Sequence, residues 1–73
     1  MARAVRIVGH ARLRCAQRRV SDLDVLSALR KPASAWKNEK PDRWHVVGAD
    51  TDGDDLELVV EFEDREVIII TVM

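Results

Sequence analysis

The run Val67-Ile68-Ile69-Ile70-Thr71-Val72 constrains the fold more than any other part of the chain. A strand that is apolar on both faces wants a hydrogen-bonded neighbour on each edge and cover on each side. It must therefore lie inside a sheet. The segment before it supplies one neighbour. Leu56, Leu58, Val60 and Phe62 alternate with Glu57, Glu61 and Glu63, the period-2 pattern of a half-buried antiparallel strand, and Asp64-Arg65-Glu66 forms the turn. Trp44 to Ala49 reads as the strand before that, joined through Asp50-Thr51-Asp52-Gly53-Asp54-Asp55. The weakly alternating Ala4-Val5-Arg6-Ile7-Val8 is the candidate for the remaining edge of the final strand, unless a dimer interface takes that edge.

Two helices lie between the opening strand and the meander. Ser21 reads as an N-cap, with Asp24 at the third helical position reaching back in a capping box. Leu23, Val25, Leu26 and Leu29 form its buried face, Arg30 and Lys31 suit its negative end, and Pro32 stops it. The first helix spans His10 to Arg18 after Gly9. Gly9, Leu13, Ala16 and Val20 form its expected apolar face, which places Cys15 on the polar side beside Arg14, Arg18 and Arg19, where its thiol would be somewhat acidified. Residues 33–42 read as a polar connection holding Trp36, Lys37, Lys40 and Pro41. The expected architecture is α+β, in the order β-α-α-β-β-β, an antiparallel meander with both helices on one face.

At 73 residues the chain has room for one core, so residues 1–73 are read as a single domain. One cysteine cannot form an internal disulfide, which points to a reducing cytoplasm. Residues 1–9 lack the apolar run of a signal peptide, and Val67 to Ile70 is too short to span a bilayer. A soluble cytoplasmic protein without membrane contact is expected. No zinc signature, phosphate loop or nucleophile elbow is present, and the glycine of the Asp50–Asp55 segment is misplaced for a calcium loop. No metal and no cofactor are expected.

The net charge of −1 conceals a division. Residues 1–40 carry ten Lys or Arg against three Asp or Glu, and residues 41–73 carry two against ten. Within the basic half, His10, Arg14 and Arg18 recur every fourth residue and align along one border of the first helix. Like charges at this spacing repel by a few tenths of a kcal/mol, so the stripe calls for an anion. The anion is either the chain's own acidic half or a phosphate.

The motif His10-Ala11-x-x-Arg14-x-x-x-Arg18, then Ser21-x-x-Asp24-Val25, then Ile69-Ile70-Thr71-Val72, resembles a bacterial family of small domains of unknown function related to the BrnT, RelE and ParE toxins of toxin–antitoxin pairs. The resemblance implies a RelE/BrnT-like fold, RNA as substrate, metal-independent endoribonuclease activity and an antitoxin protein as partner. The chain departs from that family at Arg19, where a glycine usually closes the helix, and in having no tyrosine. On this reading His10 is the acid–base group, because imidazole titrates near working pH, at about 6.5 in peptides. Arg14 and Arg18 would grip the phosphate bidentately. Arg19, Lys37, Lys40 and His45 would contact substrate, with His45 serving as a second acid–base group if it points toward the first helix. Trp36 or Trp44 would stack on a base, although Trp44 shares a strand face with Val46 and is better suited to the core, and Trp36 in the connection could instead cover the core edge.

A second class of function stands beside the first: a non-catalytic module that binds protein, nucleic acid or a second copy of itself. Its net acidity and lack of tyrosine favour that class. The decision turns on whether Arg14 and Arg18 are neutralised by carboxylates of the same molecule.

Overall fold

The computed structural model describes residues 4–38 and 43–73. Its elements are β1 (Ala4–Ile7), α1 (Gly9–Arg18), α2 (Asp22–Arg30), β2 (Pro32–Lys37), β3 (Trp44–Ala49), β4 (Asp55–Phe62) and β5 (Glu66–Val72). The five strands form one sheet in the order β1-β5-β4-β3-β2. β5 thus has a neighbour on each edge, as its composition requires. β2 to β5 are antiparallel neighbours, but β1 pairs with β5 in parallel, from Ala4↔Glu66 to Ile7↔Ile69. The sheet is therefore mixed, and the all-antiparallel expectation is corrected. Running with β5, β1 delivers the chain to the point where Val8 N–H donates to the Ile69 carbonyl, and α1 starts there and packs over β5.

The second correction is β2, where a polar connection was expected. All six of its residues are exposed, so no hydrophobic alternation marks it. It is held by backbone pairing to β3, with a register shift between Pro32 and Ser34.

A bulge decides which way the β5 side chains point. Val59 pairs with Thr71 and Val60 with Ile69, which leaves Ile70 as the extra residue. Val67, Ile69 and Val72 consequently all reach the core, while Ile68 is buried on the other face. The core also takes Leu56, Leu58 and Val60 from β4, Val46 from β3, Val25 and Ala28 from α2, and Ala11 and Cys15 from α1.

The helix faces differ from the expected ones. Leu13 is 57% exposed and Leu23 is 68% exposed, whereas Ala11 and Cys15 are buried. At 100° per residue Leu13 points about 200° away from Ala11, so only one of the two stripes can meet the sheet. The end of α1 selects the stripe. Arg19 N–H donates to the Ala16 carbonyl and Val20 N–H to the Cys15 carbonyl, a Schellman closure with Arg19 left-handed at φ 56°. That turn brings Val20 against the core beside the Cys15 level of the helix.

The cap of α2 forms as expected. Ser21 caps it, the Asp24 amide donates to Ser21 Oγ at 3.1 Å, and Asp24 Oδ2 accepts from the Ser21 amide at 3.0 Å. The same carboxylate also accepts the Thr51 hydroxyl at 2.6 Å and the Thr51 amide at 3.0 Å. Asp24 thus ties the start of α2 to the β3–β4 turn. In that turn the Asp50 carboxylate accepts the amides of Asp52 and Asp54, and Gly53 takes φ 87°. These bonds hold the Asp24 carboxyl far below the usual carboxylate range, the Thr51 hydroxyl first among them.

At its other end α2 presses directly on β3. A Cβ placed on Gly48 would lie within the Ala28 carbonyl, so only glycine lets the two backbones approach this closely. Gly48→Ala is expected to destabilise the domain by about 1–3 kcal/mol or more, because neither backbone can yield cheaply. Urea unfolding of the purified variant measures this, and an unchanged midpoint would contradict it.

The Asp24 bonds also set a pH dependence. A carboxyl whose folded pKa is depressed stabilises the fold fully above its unfolded value of about 3.9, and the contribution drains as pH falls below that. Asp24→Asn keeps the shape and removes the titration. Its unfolding midpoint is expected to fall less than that of the parent chain between pH 5 and pH 3, as read by circular dichroism.

Candidate anion-binding surface on the first helix

His10, Arg14 and Arg18 project from one side of α1, spaced about 6 Å apart along its axis. His10 and Arg18 are exposed and Arg14 is half-buried. Arg14 Nε donates to the Val72 carbonyl at 3.3 Å, which anchors the guanidinium at the end of β5. Its two terminal nitrogens make no bond to any described residue. Arg18, His10 and the Arg19 side chain likewise have no hydrogen-bond or ion-pair partner among the described residues. Arg12 projects from the opposite flank of α1 and pairs with Asp22 through contacts of 2.9 and 3.4 Å.

Several of the carboxylates that were candidates to neutralise the stripe are engaged elsewhere. On the sheet face without helices, Arg6 Nε and Nη2 reach the two oxygens of Glu66 at 3.2 Å each. Arg43 Nε meets Glu61 at 3.3 Å and His45 Nδ1 meets Glu57 at 3.1 Å. Asp24 serves the helix cap, and Asp50 serves its turn. Glu57, Glu61 and Glu66 therefore find their cations on their own face of the sheet, and no carboxylate of a described residue reaches the α1 stripe.

Arg19 sits at the Schellman position, left-handed and exposed, immediately after Arg18. Its conformation suits glycine better, by roughly 1 kcal/mol. A cation is placed there at a local conformational cost.

The other predicted residues separate from the stripe. His45 lies on the far face, bonded to Glu57 and stacked on Trp36 with ring centroids 5.1 Å apart and planes 5° apart. The condition that it point toward α1 is not met. Trp36 is 45% exposed on β2 and stands away from the core rather than covering its edge. Trp44 is half-buried against the core and meets Phe62 edge-on at 6.4 Å. Lys37 is exposed on β2, and Lys40 lies outside the described residues. Cys15 is buried, not on a polar face. Burial pushes its thiol pKa up, Asp22 adds to the rise, and Arg12 opposes it, so the acidified thiol expected from its sequence neighbours is absent. Among the described residues no cluster of three or more His, Cys, Asp or Glu is arranged to hold a metal ion, and no helix is long and apolar enough to cross a membrane.

The contact of the stripe that sequence reasoning missed is the Val72 carbonyl, which accepts from Arg14 Nε. No side-chain pattern could signal a backbone acceptor.

A family model described as a domain of unknown function (DUF4258) matches residues 7–73. The chain belongs to this family. No curated protein and no solved structure matches it. In this DUF4258 domain the match takes in every element except most of β1, including α1 with its stripe and the β5 end that receives Arg14.

Arg19→Gly in this DUF4258 domain is expected to raise stability by about 1 kcal/mol, since glycine adopts φ 56° without a Cβ penalty. Equilibrium unfolding checks it, and a loss of stability would show that the arginine side chain is held by an interaction that offsets the strain.

Proposed function

We propose that this DUF4258 domain is a toxin-like RNA-binding protein that cleaves RNA without a metal, with His10, Arg14 and Arg18 at its centre. One observation carries the reading: although the chain holds 13 Asp and Glu, no carboxylate of a described residue pairs with Arg14 or Arg18, and Glu57, Glu61 and Glu66 find their cations on the opposite face. Arg14 and Arg18, with His10 one turn before them, fit successive phosphate oxygens at helical spacing, and the Nε anchor leaves both terminal nitrogens of Arg14 without a partner among the described residues. Arg19 extends the row by one residue.

The chemistry follows from those groups. His10 takes the proton of a ribose 2′-hydroxyl, and that oxygen attacks the adjacent phosphorus. The bond from phosphorus to the 5′-oxygen breaks, and the leaving oxygen takes a proton from solvent. Arg14 and Arg18 stabilise the charge that builds on the phosphoryl oxygens. The resemblance of the His10 to Arg18 motif and of the β5 ending to the toxin-like domains supports the same reading.

A second reading is a domain that binds RNA and leaves it intact. The placement of His45 favours it, since that imidazole is committed to Glu57 and Trp36 on the far face and the stripe holds a single acid–base group.

Induced expression with growth and RNA integrity followed, together with binding of a single-stranded RNA oligomer in vitro, tests both readings. Arg14→Ala is expected to weaken RNA binding about tenfold, as loss of a charge-assisted contact does, and to lower the slope of log K against log salt by roughly 0.7–1. His10→Ala is expected to abolish cleavage while leaving binding nearly intact. Intact RNA with a salt-sensitive, Arg14-dependent affinity selects the non-cleaving reading. Affinity that ignores both salt and Arg14 removes both readings.

A further inference from the structure

The helix-bearing side of the sheet is only partly covered. α1 lies over β5, and α2 lies over β3 and β4. Beside α2 an open cleft of about 1150 Å³ remains, walled by Val5, Leu26, Leu29, Val46, Phe62 and Val67. Phe62 stays 43% exposed there despite its edge contact with Trp44. Arg30, Arg65 and Asp64 stand at the rim. Neither guanidinium has a hydrogen bond or ion pair with any described residue, and Arg65 contributes only its backbone carbonyl, to the Ala4 amide.

This arrangement combines two features of a ligand site. Apolar concavities of about 300–1,000 Å³ with a few polar groups at the edge are the usual shape of small-molecule clefts, and this one, at about 1150 Å³, is slightly larger and open on one side. The rim supplies the orienting charge. We propose that the cleft binds a small amphipathic anion, an elongated apolar body ending in one carboxylate. The body lies against Leu26, Leu29, Phe62 and Val67, and the head meets Arg30 and Arg65. A guanidinium receives a carboxylate through two parallel N–H donors, which selects this head over a neutral one. Asp64 reduces the rim to a single net positive charge and disfavours a dianion. The site is separate from the α1 stripe, and the inference does not rest on RNA binding.

The test uses Trp44 as reporter, with Trp36→Phe as background, because Trp36 lies on the opposite face. Dodecanoate is titrated below its micelle concentration beside dodecanol and dodecyltrimethylammonium, which share its tail. Expected is a saturable one-to-one change in Trp44 emission, with dodecanoate bound at least tenfold more tightly than either match. Replacing Arg30 and Arg65 together by glutamine is expected to erase that preference, and Arg65→Lys is expected to retain part of it. Circular dichroism confirms that each variant is folded, and Arg65→Gln alone, with a partial loss, serves if the double variant does not fold. Amide chemical-shift changes are expected to cluster on α2, β4 and β5. Absence of saturation, equal affinity for all three amphiphiles, or shift changes spread over the whole surface would overturn the proposal. So would light scattering that shows a dimer with the Trp44 signal unresponsive to dodecanoate.

Discussion

The contact between the Ala28 and Gly48 backbones fixes the position of α2, and much of the rest of the domain follows from that position. A helix usually stands off a sheet by the thickness of two side chains. Here one partner has no side chain, so the C-terminal half of α2 lies tight on β3 while the helix still buries Val25. At the other end the Asp24 carboxylate is brought within reach of Thr51. The helix is therefore held at both ends, by close backbone packing at one and by hydrogen bonds at the other. The space beside Leu26 and Leu29 is left open toward Phe62 and Val67.

The same placement organises the charges. With α2 fixed, Asp22 at its start faces Arg12 on one flank of α1. The other flank, carrying His10, Arg14 and Arg18, is turned from α2 and meets no acidic side chain among the described residues. Alternation along β4 sends Glu57 and Glu61 to the uncovered face, where His45 and Arg43 from β3 and its approach lie one strand away. Paired charges of this partly exposed kind contribute little to stability individually, but they remove Glu57 and Glu61 as partners for the stripe. The sequence halves of opposite sign are thus not mates of one another across the helix–sheet interface.

The fold was legible wherever burial imprinted a period. β4 and the β5 run, the α2 cap and the Pro32 stop could be read directly, because apolar side chains, a capping serine and a proline each leave a local mark. β2 could not, since a strand that buries no side chain has no hydrophobic alternation. The face of α1 was misread because Leu13 outweighs Ala11 and Cys15 in hydrophobicity, whereas a close helix–sheet contact favours the smaller residues. The positively charged stripe was legible from its spacing. The separation of His45 from it was not, because that depends on which parity of β3 faces the helices.

His10, Arg14 and Arg18 lie on one side of α1 because of chain spacing and helical geometry alone, and the need for β5 to be interior follows from its composition alone. Tertiary structure decided the rest. The bulge at Ile70, the parallel entry of β1 and the Schellman turn at Arg19 together set which residues of α1 meet the sheet, and the register of β3 on β4 set which cations the carboxylates find. Apart from the Schellman turn, whose bonds are local, those outcomes escape local sequence because each depends on a partner strand. A helix declares its own periodicity, but its neighbours determine which side is buried and which charges remain without a counter-ion.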